Sequence, residues 1–574
     1  MKKTTLTLFS VVLATSITLA QSLDDGVKFL YYMRNKSAME TLEKVVASNS
    51  KDPKSIYWLG QAYLASDDIP KAKALYQKAL TDGVNDPYIW VGMGHVELLE
   101  NGDKAAARQR FEQAITTATP TKGKTKGMPD ADILNAVGRA NADGSSQQGD
   151  PAYGIEKLKQ AQTINTTNPD IDINLGISYL KLGSDKGGEA VTAFIDATRR
   201  NPQYAAAYYR IGRVYQSQNN LEFMNEWYDK AKAADPKYGP VYLALFNYYK
   251  ERDVNKAKEY LDQWLPNADK DCETDFFVAD YLYRAGKNQE SIAKAKEMES
   301  GACKDYPRIN VIYAYNYNKL GDSVAALSAM KKFIAITPAD KIPANVYVMA
   351  ATIYSKDSLL RDSVVAFYQK AYELDTVQAN KQTYIDSISI FFKRTKNYQK
   401  RLEWVAKGYA MRPNPSNRDV YDYGEAAYFA QNYTLADSLF ALYEQKFPDQ
   451  VYGPMWRYKT AQAADTTMQT VVAPATRYIE FLKKDSVKYK SQLIQVNGVL
   501  AGYYANTKKD ADSAIYYLQQ ILIYDPTNPD AQKYIDALKK SKEKKSGSGS
   551  TGNKTEKDVA DKTKGAGTGT SGKK

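Results

Sequence analysis

The sequence predicts an all-α array of stacked helix pairs, and three observations predict it. A set of small, aromatic and proline positions recurs at a nearly fixed period: Pro169, Pro202 and Pro236 lie 33 and 34 residues apart. The 574 residues exceed one ordinary domain and suit either several domains or one long repeat array. Apolar residues make up 43% and charged residues 25%, so most of the chain can bury a core.

The chain starts with basic Met1-Lys2-Lys3 and an apolar run from Leu6 to Ala20, with Thr18 and Ala20 before Gln21. This is the pattern of a secretory leader, and cleavage is expected between Ala20 and Gln21. The residue directly after that point is Gln21 and not a cysteine, so no lipoprotein anchor is expected. No later apolar stretch reaches the roughly 18 residues that a membrane-spanning helix needs. The expected location is therefore the periplasm or the exterior.

Within the repeats, Gly176 is followed by Tyr179, Ala190, Phe194, Ala197 and Pro202. Gly212, Tyr215, Met224, Tyr228, Ala231 and Pro236 repeat the order, as do Gly60, Tyr63, Ala72, Tyr76, Ala79 and Pro87 earlier in the chain. Gly424, Ala436, Phe440 and Pro448 do so again. The small residues belong where the two helices of a pair approach closely. The aromatic residue four after the second-helix alanine is expected to fill the gap to the next pair. Proline is expected to end the second helix, because it lacks an N–H and cannot continue the ladder. Each pair leaves an apolar face that only a neighbour covers, so the 46 tyrosines are read first as core.

These residues closely resemble the tetratricopeptide repeat family, and the resemblance implies a right-handed superhelical solenoid. Extending the register gives about thirteen or fourteen pairs between Ser22 and Pro526. Periodicity alone supports the pairs around Gln378 to Pro413 and Val451 to Asp485. Insertions at Thr116–Asp130 and Asp143–Pro151 bracket a helix over Ala131–Ala142. Asn528–Lys545, with Ala531, Tyr534, Ile535 and Leu538 at helical spacing, reads as a capping helix. The expected organisation is a leader at 1–20, repeats and loop at 21–130, central repeats at 131–340, C-terminal repeats with the cap at 341–545, and a disordered basic tail at 546–574. Gly, Ser, Thr and Lys dominate that tail, and with the leader it carries much of the +12 net charge. Weak contact of the tail with anionic envelope surfaces suits this charge better than nucleic acid.

One histidine and two cysteines exclude zinc sites built from several His and Cys, and no metal or cofactor is expected. Gly123-Lys124-Thr125 lacks the earlier glycine of a phosphate-binding loop, since position 118 is Ala. His95 follows Gly94 on a first helix and either meets a ligand or serves structure. Cys272 and Cys303 sit near the starts of successive pairs; they form a disulfide in an oxidising compartment or remain two buried thiols.

In the resembled family the first helices line a concave groove. The same offsets here select Asn135, Arg139, Asn174, Tyr209, Arg210, Arg213, Tyr242, Phe246 and Tyr249 as a surface for a protein or peptide. Arg pairs with carboxylates, Asn with peptide amides, and Tyr gives rigid apolar area with a polar tip. The resemblance to the family's carboxylate clamp is partial, because Ala206 stands where a lysine is expected. The leading expectation is a non-enzymatic interaction scaffold of the cell envelope, with envelope proteins or extended peptides as partners. The alternatives are a carbohydrate- or peptidoglycan-binding module using the tyrosine-rich groove, and a helical-toroid glycosidase or lyase built on paired carboxylates.

Overall fold

The structure, a computed structural model, describes residues 22–100, 104–144 and 148–547. The expected leader and the tail from residue 548 onward lie outside these residues. Among the described residues there are twenty-nine α-helices and no strand. The chain divides into two compact units between Pro338 and Ala339.

The first unit holds nine consecutive helix pairs. They are α1 (Leu23–Tyr31) with α2 (Asn35–Ser48), α3 (Pro53–Ala65) with α4 (Ile69–Thr81), α5 (Pro87–Leu99) with α6 (Lys104–Ala118), and α7 (Ala131–Ala142) with α8 (Pro151–Ile164). Next come α9 (Pro169–Leu182) with α10 (Gly187–Arg200), α11 (Ala205–Ser217) with α12 (Leu221–Ala234), and α13 (Gly239–Tyr249) with α14 (Val254–Trp264). The last two are α15 (Cys272–Arg284) with α16 (Asn288–Ser300), and α17 (Ile309–Leu320) with α18 (Ser323–Ile336).

Five pairs form the second unit: α19 (Ala344–Tyr354) with α20 (Arg361–Leu374), α21 (Gln378–Arg394) with α22 (Tyr398–Ala410), α23 (Asn417–Phe429) with α24 (Tyr433–Lys446), α25 (Tyr452–Ala464) with α26 (Val472–Leu482), and α27 (Lys490–Tyr503) with α28 (Ala511–Tyr524). The capping helix α29 (Pro529–Gly547) runs past Lys545, where the sequence placed its end. Fourteen pairs plus a cap fit the periodicity, including the stretches that periodicity alone supported. Apolar side chains on both sides of residue 130, among them Val91, Phe111, Ile133 and Leu134, share one cluster.

The glycine–aromatic spacing has a direct steric cause. A methyl group at Gly60 would lie 2.1 Å from the Tyr76 ring, and one at Gly176 would lie 2.3 Å from Phe194. Gly212 meets Tyr228 and Gly424 meets Phe440 in the same way. The aromatic residue of the second helix therefore lies on the glycine of its own pair. At Tyr76 the ring also reaches the next pair, because a Cβ on Gly92 would sit 2.4 Å from it. The ring thus fills the expected gap to the next pair and, in addition, sits on the glycine of its own. Tyr76 stays in the core because its hydroxyl donates to the Tyr57 carbonyl at 2.8 Å.

The prolines divide into two roles. Pro202 and Pro236 lie in turns after α10 and α12, as expected for terminators. Pro53, Pro87, Pro151 and Pro169 instead begin the following helix, where the missing N–H costs nothing and φ is preset. Asp52, Asp86, Asp150 and Asn168 cap those starts.

Within the first unit the solenoid returns on itself. The turn between α1 and α2 meets α11, the turn before α13 and the turn before α15. The Tyr31 ring lies 5.0 Å from Tyr204 and 5.1 Å from Tyr238. Asp269 accepts from the amides of Lys36 at 2.8 Å and Ser37 at 3.2 Å, and pairs with Arg34 at 3.3 Å.

Candidate functional site

The residues selected for the groove separate into two groups. Asn135 and Arg139 project from α7, and Asn174 from α9. Pro169 and the Asn168 cap place Asp170 in the first turn of α9, where a carboxylate also suits the helix dipole. Asp170 Oδ2 accepts from Asn135 at 3.2 Å, from Asn174 at 3.4 Å and from the Arg139 guanidinium. Asn174 also donates to the Asn135 carbonyl at 2.9 Å. The second edge of Arg139 donates to the Tyr57 hydroxyl at 3.3 Å, and its plane lies 4.6 Å from the Trp58 ring centroid.

Burial alone would lower the Arg139 pKa, but the Asp170 charge and the Tyr57 hydroxyl outweigh it and raise it. Its partner is thus an internal carboxylate. An incoming carboxylate would have to displace Asp170 and leave it among desolvated groups. Asn135 and Asn174 are each 5% exposed and hold one another. In this arrangement Arg139, Asn135 and Asn174 spend these contacts on Asp170 and on one another.

On α11 and α13 most of the selected rings are core. Tyr209 stacks on Tyr228 at 6.1 Å and meets Tyr238 edge-on at 5.7 Å. Tyr242 is buried, with its hydroxyl donating to the Pro236 carbonyl at 3.0 Å. Phe246 is fully buried against Phe277, so it has no surface to offer a partner. Tyr249 is half-buried and stacks on Tyr260 at 5.6 Å. Burial raises the pKa of Tyr238, and the nearby Arg210 charge opposes that rise. Arg210 is half-exposed and Arg213 exposed, one turn apart on α11. Among the described residues neither guanidinium has a salt-bridge or hydrogen-bond partner. Of the nine selected residues, these two cations remain free to meet an external anion.

His95 is buried on α5, with Nε2 3.1 Å from Asp143 Oδ2. Burial pushes the Asp143 carboxyl up. His95, the Gly144 amide and Lys181 outweigh burial and bring it down to about 2. The histidine therefore ties α5 to the end of α7, its structural alternative. The loop holding Gly123-Lys124-Thr125 folds on itself: Lys126 donates to the Gly123 carbonyl at 3.3 Å and Gly127 to that of Pro120 at 2.9 Å. Its cavity of about 550 Å³ is lined by Thr125, Met128, Asp130 and Asp132 with the Asn165–Thr167 turn.

Cys272, the first residue of α15, and Cys303, in the turn before α17, are joined in the structure with Cα atoms 5.4 Å apart. The link stays within the first unit. No group of three or more His, Cys, Asp or Glu suited to a metal ion occurs among the described residues.

The fold and these sites define a solenoid of helix pairs. Residues 34–92 and 174–238 match family models described as tetratricopeptide repeat. The chain therefore carries tetratricopeptide repeats, which suggest a protein–protein interaction scaffold. It is similar to the C-terminal part of a repeat-containing protein from Cytophaga hutchinsonii, at 25% identity over 45% of this chain and 99% of that one, with a TM-score of 0.33. Yeast Tom70 is 14% identical over 74% of this chain and 98% of its own, with a TM-score of 0.37. Human IFIT1, solved as a dimer, is 12% identical over 74% and 95%, with a TM-score of 0.41. No curated protein matches the chain. Among the described residues, no helix is long and apolar enough to cross a membrane.

Proposed function

We propose that this chain is a non-enzymatic scaffold of the bacterial cell envelope that holds a protein or extended peptide through α11 and its neighbours in the first unit. The observation that carries the reading is the contrast between arginines. Arg139 is held by Asp170 and Tyr57, whereas Arg210 and Arg213 stand one turn apart and neither makes a salt bridge or hydrogen bond. Two free guanidinium groups beside a tyrosine cluster suit an acidic segment of a partner. The leader-like start supports export, and the joined cysteines suit an oxidising compartment. Stacking of Tyr209 on Tyr228 and of Tyr249 on Tyr260 uses ring faces that a sugar would need, which disfavours the carbohydrate reading.

The test is crosslinking and affinity purification of the tagged chain from envelopes of its own host, beside the Arg210→Ala/Arg213→Ala variant. A defined set of envelope proteins, lost in the variant, is the expected result. The same set retained would move the binding site away from α11. Glycan fragments without proteins would replace the scaffold reading with the carbohydrate one.

A further inference from the structure

The place where the first unit closes on itself is built differently from the rest of the solenoid. Consecutive pairs share continuous apolar clusters, whereas this closure rests on two tyrosines and a few polar anchors. Tyr31 inserts between Tyr204 and Tyr238, and its hydroxyl accepts from the Ala206 amide at 3.4 Å. Tyr32 donates its hydroxyl to Asp235 at 2.9 Å. Burial, reinforced by the Asp235 carboxylate, pushes the Tyr32 hydroxyl up to about 12.

Beyond the tyrosines, α2 begins without a capping side chain of its own, because its N-cap position is Arg34. Asp269 supplies the cap from the turn before α15, and Lys36 Nζ donates to the Lys270 carbonyl at 3.1 Å. Tyr31 and Tyr32 pack at the edge of the apolar cluster of α11–α17 and the rest of the seam is polar, the kind of contact that opens locally before the packing within a helix pair does. Arg210, which makes no salt bridge, acts on Tyr238, one of the rings against Tyr31, and the Asp235 carboxylate acts on the same ring in the opposite sense.

We infer that the α1–α2 turn is a latch over α11 and the start of α13, and that the surface beneath it takes a tyrosine-bearing acidic segment of a partner when the latch opens. The class of occupant follows from two features. Tyr31 and Tyr32 show which side chains fit among Tyr204, Tyr238 and Asp235. The unpaired Arg210 and Arg213 add a demand for carboxylate that the chain's own turn leaves unmet. This inference rests on the partner-binding reading above and adds both its regulation and the chemistry of the segment bound. Closing the latch lowers apparent affinity by the fraction of time the surface is open.

The experiment uses the full mature chain, its Asp269→Asn and Tyr32→Phe variants, and the synthetic peptide acetyl-Glu-Tyr-Tyr-Glu-amide as probe. Hydrogen exchange reads the latch directly. In Asp269→Asn the Lys36 and Ser37 amides should exchange about tenfold faster or more, while amides of α7 and α9 keep their rates. Peptide affinity, read by calorimetry, should rise at least about tenfold in the same variant and fall back when Arg210→Ala is added. Tyr32→Phe removes one hydroxyl and keeps the ring, so it should move both readouts in the same direction by less, even should Asp269→Asn fail to fold. Unchanged exchange at Lys36 and Ser37 in both variants would overturn the latch and leave the scaffold reading untouched. Faster exchange with unaltered peptide affinity would overturn the covered surface as the binding site.

Discussion

Asp269 caps a helix that begins far upstream: its carboxylate accepts from the backbone amide of Ser37, 232 residues earlier in the chain, at 3.2 Å. The Ser37 hydroxyl donates to the other carboxylate oxygen. One side chain, 8% exposed, thus satisfies amides at the start of α2 that would otherwise lack a partner where the solenoid closes.

Removing that cap should therefore have a measurable energy. We expect Asp269→Ala to lower stability by about 1–2 kcal/mol, the range of lost helix caps. A double-mutant cycle with Ser37→Ala, followed by urea unfolding, should give a coupling of at least about 0.5 kcal/mol. Strict additivity would mean that the two residues do not meet in solution.

Arg139 and Arg213 occupy equivalent positions beside the glycines of their helices, yet their removal should differ sharply in cost. Arg139→Ala leaves Asp170 with weaker donors and uncovers Trp58, so a loss of about 2–3 kcal/mol is expected, the range of charged hydrogen bonds. Arg213→Ala, on an exposed side chain, should change stability by less than about 0.5 kcal/mol. Thermal melts of the two variants decide the matter. Equal melting temperatures would contradict the network drawn around Asp170.

Two helical glycines make a similar contrast. A Cβ at Gly60 would collide with the Tyr76 ring at 2.1 Å, whereas one at Gly188 in α10 meets nothing within 4 Å. Gly60→Ala should destabilise by about 1–3 kcal/mol through overpacking. Gly188→Ala should be neutral, or should stabilise by up to about 1 kcal/mol through helix propensity. Chemical denaturation of both variants tests the rule that the repeat glycine is a seat for a ring, and a stable Gly60→Ala protein would contradict it.

That rule explains what the sequence revealed. Gly60 and Tyr76, or Gly212 and Tyr228, meet within one pair, sixteen residues apart, so a fixed spacing exposes the contact. The helix over Ala131–Ala142 was legible for a related reason, because insertions rich in Gly, Pro and polar residues flank it. The internal partner of Arg139 was not legible because it lies on the next pair. Nothing local distinguishes Asp170 among 66 acidic residues. The one signal available was Asp170 following Pro169, four residues before Asn174, which puts a carboxylate and an amide on one helix face. The Asp269 cap had no sequence signal at all, since it depends on how far the stacked pairs curve before they meet.

Acid should act through Asp143. Its folded pKa, near 2, lies below the ordinary value of about 3.9, so the folded protein holds this carboxylate ionised more readily than the unfolded chain does. Its stabilising contribution is complete above about pH 4 and is lost as pH falls through about 2. Melting temperatures between pH 2 and 5 should fall more steeply for the wild type than for Asp143→Asn, with the gap narrowing toward the acid end. Parallel curves would remove the His95–Asp143 pair as a source of acid sensitivity.

Cys272, one of the joined cysteines, lies three residues past the Asp269 cap that closes the first unit, so reduction should be felt at two places. Closing a loop across a separation of 31 residues stabilises by about 3–4 kcal/mol on the chain-entropy account. A reducing agent should lower the melting temperature of the wild type and leave a Cys272→Ser/Cys303→Ser variant unmoved. Reduction also frees the start of α15, and with it the turn that carries Asp269. Exchange at the Lys36 and Ser37 amides should then rise together with exchange around Thr274, whose amide Asp271 caps at 2.8 Å. A melting temperature indifferent to reductant, with both thiols open to labelling in the native oxidised protein, would mean that the chain holds two separate cysteines and that the closure depends on Asp269 without covalent support.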